Sequence, residues 1–225
     1  IEIRVIPDAL TRVLELEKGS IDLVQSAIDP DTVDWLARRD GDLRVTRTPS
    51  ANFQYLGINL GHPALADVRV RRAIAHAIDR EGIVTSILNG QARVADSMLP
   101  PEHWAHARGL RVPSHDPQRA REMLEQAGLR DPDDDGPLPR LDLSFKTTTD
   151  ELSRRIAEVL AAQLAEAGIR LEIRSYDWGT FFADVQRGDF HLYSLQWVGI
   201  GDPDILRQVL HSALRPPEGS NRGGF

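Results

Sequence analysis

Residues 55–84 read YLGINLGHPALADVRVRRAIAHAIDREGIV, and the join they contain decides the fold. With Phe53 and Gln54 ahead of it, the stretch opens on a strand-like run from Phe53 to Leu60. A short Gly/Pro loop follows, and Asp67 is placed to cap a helix. Beyond it Val70, Ala73, Ile74, Ala77 and Ile78 recur at helical spacing, with Arg69, Arg71, Arg72 and Arg80 mostly on other faces. A strand feeding an amphipathic helix through a short loop is the unit from which α/β sheets are built.

The same logic extends in both directions. Toward the start, Ile1 to Ile6 alternates apolar and polar residues and predicts a half-buried strand. Pro7 and Asp8 open a helix near Ala9 to Lys18, which Gly19 stops. Ile21 to Gln25 reads as a second strand. Asp29, Pro30 and Asp31 cap a short helix reaching Arg39, and Leu43 to Thr48 reads as a third strand. Toward the end, Asp116-Pro117 starts a helix over Gln118 to Ala127. Leu141 to Lys146 reads as a strand, Glu151 to Ala167 as the longest helix, and Ile169 to Ser175 as a strand. Trp178 to Gln186 follows as a helix and Phe190 to Trp197 as a strand. Asp202-Pro203 starts a helix ending near His211, and from Arg215 the chain is Pro/Gly rich and irregular.

The composition bounds the function classes. The chain has 225 residues, 41% of them hydrophobic, which is enough to bury a core in one large or two small domains. A net charge of −7 argues against a broad nucleic-acid footprint, which needs a basic face. The lack of cysteine removes disulfides, thiolate metal sites and a cysteine nucleophile together. No apolar run approaches the length of a membrane span. No G-x-S-x-G elbow, P-loop or H-E-x-x-H motif is present. The chain reads as an excised piece of a longer protein.

Several segments, taken in order, resemble one family. These are IRVIPDALTRVLELEKGSIDLV (residues 3–24), the 55–84 stretch, SHDPQRAREMLEQAGL (residues 114–129) and IAEVLAAQLAEAGIRLEIRSYDWGTFFADVQRGDFHLYSLQWVG (residues 156–199). Together they resemble the family 5 extracellular solute-binding proteins, which capture peptides, nickel complexes, haem and similar solutes for ABC importers. The resemblance implies a periplasmic-binding-protein-like (type II) α/β fold, with a mixed sheet in a lobe of a two-lobe protein. Residues 1–50 would belong to the first lobe, 51–196 to the second, and 197–225 to a crossover segment returning toward the first. It further implies a binding rather than a catalytic role. The ligand would be a small peptide or peptide-like solute, the partners the permease subunits of an ABC transporter, and the usual form a monomer. The location would be periplasmic or extracellular, with or without a lipoprotein anchor, and no nucleic acid is implied for this segment.

The resemblance also nominates residues. Trp178 and Trp197 match positions where oligopeptide-binding members place tryptophans in the ligand cavity; filling the lobe's core is the competing role. Tyr55 and Asn59 flank the crossover, and either touch ligand or serve packing and turn geometry. Many peptide binders place an aspartate three residues after the tryptophan, against the peptide's α-ammonium group. Here that position is Ile200, in a loop one residue shorter, and an isoleucine leaves a buried charge unpaired. Asp202 is the nearby substitute, with helix capping as its alternative role. Two cavity arginines of some oligopeptide binders are replaced by Val185 and Ser194.

Three residue groups stand apart from that reading. In DPDDDGPLPRLD, residues 131–142, Asp131, Asp133, Asp135 and Asp142 occupy the first, third, fifth and twelfth places of a calcium-loop pattern, with Gly136 sixth. A structural calcium is one reading; a solvated acidic turn, interrupted by prolines, is the other. His103, His106 and His115 lack an acidic partner at convincing spacing and read as solvated or capping groups. The arginines of the 67–79 helix read as a solvent face paired with Asp67, Asp79 or Glu81. Two further classes remain open at this point: the ligand-sensing module of a transcription regulator, and an α/β hydrolase whose nucleophile lies elsewhere.

Overall fold

The computed structural model describes every residue except Ala27, Asp40 and Asp135. In chain order the helices are α1 (Ala9–Glu17), α2 (Pro30–Ala37), α3 (Pro63–Ala66), α4 (Val68–Ala77), α5 (Arg80–Ser86), α6 (Pro117–Gln126), α7 (Glu151–Glu166), α8 (Trp178–Arg187) and α9 (Ile205–Leu210). The strands are β1 (Phe53–Ile58), β2 (Leu141–Thr148), β3 (Ile169–Tyr176) and β4 (Leu192–Trp197).

Aspartate starts most of these helices. Asp8, Asp29, Asp67, Asp79, Asp116, Asp150 and Asp177 each accept a backbone N–H of the first turn, at 2.7–3.1 Å. Each satisfies a donor that the helix cannot satisfy itself and places negative charge at the positive end of the helix dipole. Part of the chain's acidity is thus structural. Gly188 ends α8 in the left-handed conformation, φ 76°, which its missing Cβ permits.

The strands form one mixed sheet in the order β1-β4-β2-β3. β1 runs antiparallel to β4, pairing Phe53 with Trp197 and Tyr55 with Leu195. β2 runs parallel to both β3 and β4. Alternation along the strands gives the sheet two faces. Leu143, Phe145, Ile169 and Leu192 point to one, where they join Val70, Ala73, Ile74 and Ala77 of α4, Ala120 and Leu124 of α6, and Leu160 and Leu164 of α7. The other face carries Tyr193, packed with Phe181 and Val185 of α8 and with Phe190.

The expectations for residues 53–197 agree with the structure to within a few residues, and the mixed sheet is the one expected. Four points need correction. No strand forms over residues 1–6, 21–25 or 43–48. Ile1, Ile3, Val5 and Leu23 stand exposed, Ile3 at 89%. Alternation prepares a segment for a sheet, but a strand also needs a ladder partner. Among the described residues none lies beside these segments. α9 begins at Ile205, not at Pro203. β4 begins at Leu192, because Phe190 turns into the core below α8. The arginines near α4 mostly cap carbonyls: Arg71 donates to Leu65 O and Ala66 O, Arg80 to Pro113 O and Ala75 O, while Arg69 pairs with Asp67 at 2.6 Å.

Candidate functional site

The face beneath α8 is where the candidate ligand residues gather. Phe53, Tyr55 and Gly57 of β1 point to it, as do Tyr193, Leu195 and Trp197 of β4. Gly57 lies opposite Tyr193, and a Cβ there would collide with the Tyr193 ring. The glycine of the LGIN segment is therefore what lets that ring lie flat on the sheet.

The rings form a row. Phe53 stacks on Tyr55 at 6.2 Å and 7°, and Tyr55 on Trp197 at 6.4 Å and 15°. Trp178 stacks on Phe182 at 5.3 Å and 12° on α8. Between the two sets sits Arg222, its guanidinium 5.1 Å from the Trp197 ring and 5.2 Å from the Phe182 ring. Such distances are those of cation–π contacts. Arg222 Nη1 donates to the Tyr55 hydroxyl at 3.1 Å, and that hydroxyl lies 3.2 Å from the Tyr193 hydroxyl. Burial, reinforced by Tyr55, pushes the Tyr193 hydroxyl far above the ordinary tyrosine range and keeps it neutral.

Beside this row is a hollow of about 310 Å³, lined among others by Phe53, Tyr55, Trp197, Met98, Leu210 and Arg222. Its size is that of a small-ligand pocket, and its walls are mostly apolar, with Arg71 and Arg222 among them. A second, wider groove of about 900 Å³ crosses β2 and β3. Its charges are engaged: Arg174 with Glu172 at 2.7 Å, Arg170 with Asp142, and Lys146 with Asp184 and Asp189 at 2.7 and 3.0 Å. Burial lowers the Lys146 pKa, but the two carboxylates outweigh it and raise it above the ordinary value. His191 borders the same groove. Its Nδ1 accepts the Ser144 N–H at 3.0 Å, and burial, then the charges of His62 and Arg174, push its pKa below the usual histidine value.

Of the residues nominated by sequence, Tyr55 and Trp197 come together at the hollow. Trp178 stands at the far end of the ring row, 59% exposed. Asn59 turns its amide to Gly188 O and Phe190 O, at 3.1 and 2.8 Å, and accepts Gly61 N–H, so it joins the end of β1 to the turn before β4. Asp202 accepts the Asp204 N–H at 2.8 Å in an exposed turn, away from the rings. Ile200 is buried, its N–H donated to Ala51 O. Arg222, Phe182 and Tyr193 had no sequence signal beyond their residue type.

In the acidic loop, Asp131 pairs with Arg140 at 3.0 Å, Asp133 accepts the Leu138 N–H, and Asp142 faces Arg170 from β2; Asp135 lies outside the described residues. Among the described residues no three His, Cys, Asp or Glu side chains converge as a metal set. His103 and His106 make loop hydrogen bonds to Gly201 O and Leu99 O.

Comparison with known proteins places these features in context. The family model for bacterial extracellular solute-binding proteins, family 5, matches residues 1–213. A probable di/tripeptide-binding protein of Pseudomonas aeruginosa is 34% identical over 220 residues, 96% of this chain and 40% of that protein. The dipeptide-binding protein of Escherichia coli is 27% identical over 216 residues, 96% of this chain and 39% of that protein. Among solved structures, the oligopeptide-binding protein AppA of Bacillus subtilis, in complex with a nonapeptide, superposes with a TM-score of 0.82 at 26% identity, covering 98% of this chain and 45% of that one. NikA of Brucella suis, in complex with Fe(III)-EDTA, gives the same score and identity over 99% of this chain and 45% of that one. The chain spans about 40% of the length of the curated relatives it matches.

Proposed function

We propose that this chain, which belongs to the bacterial extracellular solute-binding proteins of family 5, supplies one wall of the ligand cleft in the solute-binding component of an ABC importer. The solute is a peptide or a peptide-like small molecule. Residues 1–50 belong to the first lobe, 51–196 to the second, and 197–225 return toward the first. The protein works outside the cytoplasm and hands its cargo to permease subunits. Its mechanism is differential binding: the loaded, closed arrangement is the one the permease recognises. No covalent step is involved.

The observation that carries this reading is the hollow of about 310 Å³ walled by Phe53, Tyr55 and Trp197. Large flat rings offer apolar contact at little conformational cost and accept varied side chains. The relatives named above as di/tripeptide- and dipeptide-binding proteins support the peptide class. Native mass spectrometry of the full-length protein, purified gently, tests it. A retained small mass that leaves on denaturation is the expected result, with a ladder of short peptides identifying the class. A full-length protein that stays ligand-free with dipeptides, tripeptides and longer peptides at millimolar concentration contradicts it.

A further inference from the structure

Several arginines of this chain have carboxylate or carbonyl acceptors. Arg140 meets Glu125 and Asp131, Arg71 meets Leu65 O and Ala66 O, and Arg215 meets Gly224 O. Arg222 differs. It is half-buried, lies on two aromatic faces and donates to the Tyr55 hydroxyl. Among the described residues it has neither a carboxylate at ion-pair distance nor a carbonyl acceptor for its guanidinium. A guanidinium carries five N–H donors in a planar fork, so most of that fork is still free to bond.

The loop that presents it is held firmly. Asn221 is 1% exposed, and its side chain makes four hydrogen bonds: Nδ2 to His211 O and Phe225 O, and Oδ1 from Gly224 N and Phe225 N. Gly223 O accepts the Leu60 N–H at 2.8 Å, which docks the loop beside the end of β1. A Cβ at Gly223 would sit 2.9 Å from Ile58 O, so only glycine allows so close an approach. The fold thus fixes a cation with an open fork at the rim of an apolar hollow.

We infer that Arg222 is the anion anchor of the cleft, its fork receiving a carboxylate of the solute while Trp197 and Phe182 hold the guanidinium plane and Tyr55 sets its rotation. This rests on the binding reading above and names the chemical class of the solute. The ring contacts favour the cation without neutralising it, so a monoanion completes the site. A carboxylate matches the fork with two parallel N–H···O bonds. The other arginine at the hollow, Arg71, already donates Nη1 to two carbonyls.

The test is calorimetric titration of the full-length protein with Ala-Phe, its C-terminal amide, and 3-phenylpropionate. Wild type binds the dipeptide acid more tightly than the amide by about tenfold to a hundredfold. In Arg222→Gln that preference falls by about tenfold or more. Should Arg222→Gln not fold, Arg222→Lys keeps the charge but loses the fork, and its preference drops by about tenfold. Binding of phenylpropionate with the same dependence on Arg222 assigns the site to carboxylates at large. Its failure beside a strong dipeptide acid assigns it to peptide C-termini. An acid preference that survives Arg222→Gln, or a wild type that binds acid and amide alike, overturns the anchor and leaves the binding reading intact. A wild type that binds none of the three overturns both.

Discussion

The two faces of the sheet are made from alternate residues of the same strands, yet they do different work. The face under α4, α6 and α7 is filled by Leu143, Phe145, Ile169 and Leu192, all buried among aliphatic side chains. The face under α8 carries rings beside β1 and β4 and charges along β2 and β3. α8 covers only part of it, so Trp178 is exposed, and among the described residues the Arg222 fork donates only to the Tyr55 hydroxyl. A fully covered face can only pack. A partly covered face, braced from behind by the packed one, can hold polar groups in fixed positions for a ligand.

That contrast can be tested by damaging each face in turn. Phe145→Ala, at a wholly buried position, removes the ring that joins β2 to the helices. It should lower unfolding free energy by about 3–5 kcal/mol in a denaturant titration, while the folded fraction keeps its affinity. A loss of affinity without a loss of stability would erase the division between faces. On the other face Asp184→Ala strips Lys146 of its closer partner and should cost about 3 kcal/mol, because it leaves a buried charge poorly paired. Lys146→Met should cost less, since Arg187 still pairs with Asp184. The raised Lys146 pKa gives the sign of its pH dependence. Its contribution is complete below the ordinary lysine value of 10.5 and disappears as pH rises through the folded-state value.

A smaller effect is expected at His191. Its folded pKa is depressed, so the unfolded chain takes up the proton first, and protonation of Nδ1 also removes the acceptor of the Ser144 N–H. Its stability contribution is present above the ordinary value of 6.5 and is lost as pH falls from there toward the folded value. The melting temperature should fall between about pH 7 and about pH 5, and His191→Asn, which keeps an acceptor but does not titrate, should flatten that fall. An unchanged slope in the variant would remove His191 from the account. Calcium is the smallest expectation. With Asp131 and Asp142 held by Arg140 and Arg170, millimolar calcium should leave the melting temperature unmoved. A rise that chelator reverses would mean that the acidic loop rearranges around a cation.

Much of this molecule is legible in its sequence, for local reasons. The join from β1 to α4 is written in the spacing of Val70, Ala73, Ile74 and Ala77 and in the cap at Asp67. The α7–β3–α8 unit is equally clear, because its helices and strand carry clean periods ended by Gly168 and Gly188. The alternation of Ile1, Ile3 and Val5 was as clean, yet no strand forms there, since pairing is tertiary and periodicity reports only which side chains would share a face. The candidate site divides in the same way. Tyr55 and Trp197 were found because they sit on periodic strands in a segment that resembles a known family. Arg222 was not, because a lone arginine in a Pro/Gly-rich stretch has no period. Its position comes from the Asn221 turn, which is bonded to His211, Gly224 and Phe225, and from the close approach of Gly223 to the end of β1. Asn59 carried two readings in the sequence, and its contacts are to the backbone at Gly188 and Phe190.

The central claim is that the ring-lined face binds solute, and Trp197→Ala in the full-length protein addresses it most directly. Titration with the peptide that the wild type retains on purification is predicted to give at least about tenfold weaker binding, about 1.4 kcal/mol, with cooperative unfolding preserved. Unchanged affinity in a normally folded variant would contradict the claim and return Trp197 to the packing of its own lobe.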